Sequence, residues 1–294
     1  MELRELRVVV AVAEHASVTR AAAALHQSAG SISHTIAALE ARLGVELFHR
    51  MPRGMALSAA GEALLGPARR TLREADAAVG AVNVVRGLVG GRLSLVASRV
   101  STVPLAELMA AFTQLYPHVV LRVFEPDTEV GIARLLRSGE CELGVMRTEG
   151  APSDFEQFPI TDDRTMVVLP AGHRLGDRSV LRMQDLAGER LVAPLPMSST
   201  RLDFDEYFRL NGIEPWVVAE AGTHEMVLEL VRCAVGCTLA PEPSVAQVLG
   251  RGAVAVVLEG APTSHQVLVS RRGDHLTPAA AAFHELVVSR RVVE

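Results

Sequence analysis

The sequence predicts a chain in two parts: a small all-α head at the N-terminus and a larger α/β region of two lobes. Three observations predict it. Apolar residues between positions 3 and 43 recur at helical spacing. Residues 65–82 carry an apolar seam that alternates steps of three and four. From Arg92 onward, short apolar runs alternate with helical ones.

The 294 residues suffice for two or three domains, and 49% are hydrophobic, so a large core can be buried. Aromatic residues make up only 4%, so aliphatic side chains and Ala must fill that core. No apolar run reaches the roughly 18–20 residues of a membrane helix. "MELRELRVVVAVAEHAS" shows no signal cleavage site, and a soluble, cytoplasmic protein with no membrane partner is expected. The three cysteines, 141, 233 and 237, are too few and too odd for a disulfide framework or a zinc site; small buried core residues are expected. The net charge is −5 and every basic residue is Arg. Residues 1–88 hold ten Arg against eight acids, a net of +2, which leaves −7 on the rest. The head is therefore separable from an acidic bulk.

Residues 3–14 place Leu3, Leu6, Val9, Val10 and Ala13 on one helical face. Ser17 stands where an N-cap belongs, ahead of the Ala-rich "VTRAAAALH", and Ala lets helices approach closely. "QSAG" breaks that run. A third helix is expected from Ser28, with Ile32, Ile36, Leu39 and Leu43 inward and Gly44 closing it. Helix, short turn and helix make a helix-turn-helix. Ser28, Ser31, Ser33, His34 and Thr35 near the start of the third helix suit base edges and phosphates in a major groove, and by spacing alone they equally fit an ordinary solvated face. "VELFHRMPRGMALS" then reads as two short strands around a Pro-Arg-Gly turn: a wing, with Arg50 and Arg53 placed to meet phosphate or a minor groove.

Residues 58–88 read as one long helix, N-capped by Ser58, with Leu65, Ala68, Leu72, Ala75, Val79 and Val82 as its seam. A lone helix of this kind leaves its seam uncovered, so pairing with a second chain is expected, and packing on its own chain is the alternative. "GLVGG" at 87–91 reads as a hinge. Beyond it, "RLSLVAS", "VPLAELMAAFTQLYP", "VVLRVFE", "EVGIARLLRSG" and "ELGVMR" predict a lobe with a mainly parallel sheet. "TMVVLP", "RLVAP", "FDEYFRLNG", "WVVAEA", "HEMVLELVRCAVG" and "CTLAPE" predict a second, related lobe. The final "QVLVSRRGDHLTPAAAAFHELVVSRR" supplies one strand and one helix that can return to the first.

This order resembles the LysR-type transcriptional regulators along nearly the whole chain. The resemblance rests on "AAAALHQSAGSISHTIAALEARLGVELFHR", "ALSAAGEALLGPARRTL" and "GRLSLVAS". It implies a winged helix-turn-helix at 1–58, a dimerising linker helix and hinge at 59–91, and a periplasmic-binding-protein-like effector domain at 92–294. Lobe I would then hold 92–161 and 268–294, and lobe II 162–267. It further implies homodimers, or homotetramers formed as dimers of dimers, on interrupted palindromes in double-stranded DNA, acting through RNA polymerase. Members of the family typically carry Gln or Thr at the position of Ala29, Arg at that of His34 and often a basic residue at that of Ala37. With fewer long donors, recognition here is expected to lean on DNA shape.

Two-lobed sensors bind ligands where strands end and helices begin. Hydroxyls stand at four such junctions: Ser98, Ser101 and Thr102; Thr128; Ser198, Ser199 and Thr200; and Thr223. Each also fits an ordinary helix cap. Arg147 can add a positive charge and His224 a pH-dependent one, which points to a small polar or anionic effector. Against catalysis, the chain has no GxSxG, no Walker loop, no GxGxxG and no metal-ligand spacing. No enzyme activity, cofactor or metal is expected. A plain solute-binding module is the other rival, and the N-terminal 90 residues argue against it.

Overall fold

The computed structural model describes residues 1–52, 54–85, 89–98, 102–126, 128–148, 151–196, 198–245, 248–261 and 263–291. The head holds α1 (Leu3–His15), α2 (Val18–Ala24), α3 (Ala29–Leu43) and a hairpin of β1 (Phe48–Met51) and β2 (Gly54–Leu57). Ser17 and Ser28 cap α2 and α3, accepting from the backbone N–H of Arg20 and Ser31 at 3.3 and 3.1 Å. Gly44 closes α3 at φ 72°, a left-handed turn suited to glycine.

The head's core gathers Val8, Val9 and Val12 with Ala21, Ile32, Leu39 and Leu47. The inward arc of α1 differs from the expected one. Leu6, Val8, Val9, Ala11 and Val12 are buried, while Leu3 is 41% exposed. The reason is that α1 packs on α2, α3 and also α4 (Ala59–Val85), so two sides are covered instead of one. Leu43 is likewise exposed, at the open end of α3.

The linker helix α4 meets the head at Gly61, where a Cβ would lie 2.1 Å from the Leu47 carbonyl oxygen, so only glycine allows this approach. Ser58 locks the junction: its N–H donates to Leu47 O at 2.9 Å and its hydroxyl to Glu46 O at 2.6 Å. The seam is split. Ala68 is buried against its own chain, whereas Val79 and Val82 stay exposed. Gly90 and Gly91, expected in a hinge, instead open β3 (Gly90–Ala97) opposite His118 and Val119; residues 87 and 88 lie outside the described residues.

The first lobe contains α5 (Thr102–Leu115), β4 (His118–Phe124), α6 (Glu129–Arg137), β5 (Leu143–Arg147) and β6 (Phe155–Asp163), with β3. The second contains β7 (Thr165–Pro170), β8 (Val180–Leu181), β9 (Arg190–Pro194), α7 (Ser199–Leu210), β10 (Trp216–Ala221), α8 (His224–Arg232), β11 (Thr238–Pro241), α9 (Glu242–Val245) and β12 (Ala253–Leu258). The chain then returns through β13 (Ser264–Arg271) and α10 (Pro278–Arg291) to the first lobe. The first sheet runs β4-β3-β5-β13-β6 and the second β11-β7-β12-β8. The β9–β10 pair joins the second sheet where Val192 N–H donates to Cys237 O at 2.8 Å.

The expected parallel pairing holds for β3 with β4 and β5 and for β9 with β10. It fails for β13 on β5 and β6 and for β7 on β11 and β12, which are antiparallel. The expected lobe limits at 161/162 and 267/268 fall inside strands: β6 and β13 pair from Asp163–Ser264 onward, so the chain crosses at Arg164 and between Leu258 and Ser264. Of the cysteines, 141 and 237 are buried as expected, but Cys233 is exposed, because it sits at the C-terminal cap of α8.

Candidate nucleic-acid interface and effector cleft

On α3, Ile32, Ile36 and Leu39 point into the head. That leaves His34 exposed and Ser31, Ser33 and Thr35 half-buried at the surface, with Ser28 as the cap. The Thr35 hydroxyl donates to the Ser31 carbonyl at 2.9 Å, which leaves its lone pairs to accept. Arg42 fastens α3 to α1 by donating to Glu5 at 2.6 Å, and this hydrogen bond draws the Glu5 carboxyl down to about 2.

The wing is held against α1. Met55 N–H donates to Ala16 O at 2.9 Å, and a Cβ at Gly54 would come within 2.3 Å of the same oxygen. Glu40 supports the turn into β1 by accepting from the Leu47 and Phe48 N–H groups at 2.7 and 3.2 Å. Between wing and α3 lies an open groove of about 870 Å³, reached by Ser17, Thr19, Ser33, Ala37, His49 and Arg50. Two capped helix starts and an exposed Arg on its rim suit a phosphate backbone. Arg53 lies outside the described residues. Thr19 and His49 carry no sequence signal of their own; they meet at the groove because the hairpin is held at the C-terminal end of α1, next to the start of α2.

Between the lobes lies a small cavity of about 70 Å³. Of the expected residues it gathers Arg147, Thr200 and His224. Thr128, Ser198 and Thr223 are instead helix caps, accepting from Gly131, Arg201 and Met226 N–H at 3.2–3.3 Å, and they do not line it. Ser98 is buried in the first lobe, where its N–H donates to Val145 O at 3.1 Å. Ser101 and the side chains of Thr102 and Ser199 lie outside the described residues.

The charges in the cleft also differ from expectation. Arg147 is not a free cation: its Nε donates to Glu129 of α6 at 3.2 Å, and its Nη1 donates to Asp203 of α7 in the facing lobe. Burial works to lower the Arg147 guanidinium, but the Asp203 and Glu129 carboxylates outweigh it and hold it above its ordinary value. His224 supplies no charge near neutrality, because burial pushes its imidazole below the ordinary range and Glu225 only partly opposes this. Its Nε2 is buried with no hydrogen-bond partner among the described residues. Thr165, Asp203, Tyr207, Ser264 and Gln266 complete the polar lining, with a Thr165–Tyr207 hydroxyl pair at 3.2 Å. Sequence reasoning missed these five. Thr165 and Ser264 open strands at the interlobe crossings, and that position was the one available signal.

A winged helix-turn-helix joined by a long helix to a two-lobed sensor defines a class: DNA-binding transcriptional regulators with an effector-binding domain. The pattern of the bacterial regulatory helix-turn-helix protein, lysR family, matches residues 3–62, and that of the LysR substrate binding domain matches residues 86–291. The chain belongs to the LysR family of transcriptional regulators. It is 30% identical over 294 residues to the RuBisCO operon transcriptional regulator of Allochromatium vinosum, covering 98% of this chain and 96% of that one. It is 32% identical to the Hca operon transcriptional activator HcaR of Escherichia coli over 82% of each chain. Among solved structures, CbnR, a LysR family transcriptional regulator, superposes with a TM-score of 0.67 at 25% identity over 100% of both chains. Full-length CbnR has also been solved with its target DNA, with a TM-score of 0.60. Full-length OxyR from Pseudomonas aeruginosa shares the fold with a TM-score of 0.79 at 21% identity, over 99% of this chain and 95% of that one.

Among the described residues no helix is long and apolar enough to cross a membrane.

Proposed function

We propose that the chain binds promoter DNA as a homodimer or dimer of dimers, senses a small polar or anionic molecule between its lobes, and acts through RNA polymerase. The observation that carries the reading is the outward Ser/His/Thr face of α3 beside the wing groove. We assign 1–58 to DNA binding, 59–89 to the linker and 90–294, from the start of β3, to effector binding. Ser31, Ser33, His34 and Thr35 face the bases, while Ser28, Arg50 and Arg53 hold phosphates. The exposed Val79 and Val82 supply the dimer seam.

In the cleft, Thr200, His224 and Arg147 contact the ligand. An anionic group gains Arg147 only by displacing Asp203 or Glu129, which ties ligand entry to movement of the lobes. Footprinting on the DNA upstream of the protein's own gene tests the DNA half: two protected half-sites are expected, and no protection refutes it. A thermal-shift panel of small carboxylates, sugars and amines tests the cleft half. Stabilisation by cationic or apolar compounds alone refutes it.

A further inference from the structure

The helix α6 has one end in the cleft and the other against the linker helix. At its first turn Glu129 accepts from Arg147 at 3.2 Å. At its far end α4 takes up what the helix leaves open. Arg70 donates to the Arg137 carbonyl at 3.4 Å, Arg73 donates to the Gly139 carbonyl, and Arg69 Nη1 lies 3.2 Å from Glu140. The other arm of Arg69 reaches Glu14, in the last turn of α1 in the DNA-binding head, at 3.6 Å. Ile132, Ala133, Leu135 and Leu136 bury α6 in the lobe, so its ends, about 13 Å apart, move together.

Arg69 is unusually placed for an arginine. Its side chain is only 9% exposed, it divides one charge between two carboxylates of different domains, and its Nε is buried with no partner among the described residues. A cavity of about 410 Å³ adjoins it, lined also by Glu14, Arg73, Glu140 and Pro278. The guanidinium therefore has both a reason and the room to change partners.

We propose that Arg69 is a positioning residue that couples the cleft to the DNA-binding head: α6 carries displacement of Glu129 to Glu140, and Arg69 passes it to Glu14 and α1. The cleft reading supplies the physiological input, but the coupling can be tested with neither ligand nor DNA. Amide hydrogen exchange is followed across α1 in the full chain for Glu129→Gln, Glu140→Gln and the double variant. Glu129→Gln is expected to raise exchange in α1 about fivefold, and Glu140→Gln to abolish that increment, although sites this far apart ordinarily act independently. Arg69→Lys should retain the response and Arg69→Met should lose it. If Arg69→Met does not fold, Glu140→Gln still decides, because it leaves Arg69 and Glu14 in place. An α1 that ignores Glu129→Gln, or that responds equally with and without Glu140→Gln, overturns the proposal. Because no ligand is added, a wrong effector class would leave this result untouched.

Discussion

In the head, each outward residue of α3 is placed by neighbours three or four positions away. Ser28 caps it, Ile32, Ile36 and Leu39 turn it inward, and Gly44 ends it. In the cleft, Arg147, Asp203, His224 and Gln266 arrive from a strand of one lobe, two helices of the other and the returning strand β13. The same residue type therefore means different things in the two regions. Hydroxyls at helix starts stand beside the proposed DNA groove in the head. In the lobes three of them cap helices without lining the cavity, which is built from groups joined by long-range packing.

If the head is a unit held by its own local contacts, Leu39→Ala should do the most damage. Leu39 is fully buried, and its truncation should cost about 2–5 kcal/mol. Calorimetry should show the head melting ahead of unchanged lobes, with duplex retention lost; a lower single transition for the whole chain would erase the distinction. The matching cut in the cleft is Arg147→Met. It leaves Glu129 and Asp203 without their cation and should cost the lobes about 2 kcal/mol, less than a fully buried pair because the Asp203 side chain is 38% exposed. Limited proteolysis should speed up at the crossing near Arg164; an unchanged rate would mean that the bridge holds nothing together. Ser28→Ala should cost about 1 kcal/mol by freeing the first turn of α3, read as faster amide exchange there and not in the lobes.

The smallest expected effect is a pH dependence confined to the cleft. The folded state holds the His224 imidazole below its ordinary 6.5 by burial, so the unfolded chain takes up that proton first as pH falls. The stability contributed is full above 6.5 and drains away as the pH falls toward the folded-state value. Urea midpoints of the wild type should drop across that window, and His224→Gln should flatten the slope. A slope that survives the substitution would assign it to another group.

Much of the molecule was legible because caps, apolar spacing and glycine stops act over one helical turn. The helices α2 and α3, the wing and the strands β3, β4 and β5 follow from such signals. The misses have equally specific causes. The strand β6 carries Pro159, which argues against a central strand, yet it lies at the sheet edge and its register slips at that point, so no ladder donor is missed. The alternating pattern of β3 to β5 says nothing about β13 running the other way, because direction is set by where the chain re-enters the lobe. Arg147, which the sequence places after a strand end, lines the interlobe cavity. Its two carboxylate partners lie 18 and 56 residues away, and no local pattern marks them.

The central claim is that the outward side of α3 reads DNA, and anisotropy titrations of the full chain test it most directly. The duplex from upstream of its own gene is compared with a random duplex across a salt series, for the wild type and for a combined Ser33→Ala, His34→Ala, Thr35→Ala variant. The wild type should show a clear preference for the upstream duplex. In the variant that preference should collapse while helicity and residual, salt-sensitive binding remain. A variant that keeps the full preference, or a wild type that retains neither duplex at any salt, would contradict it.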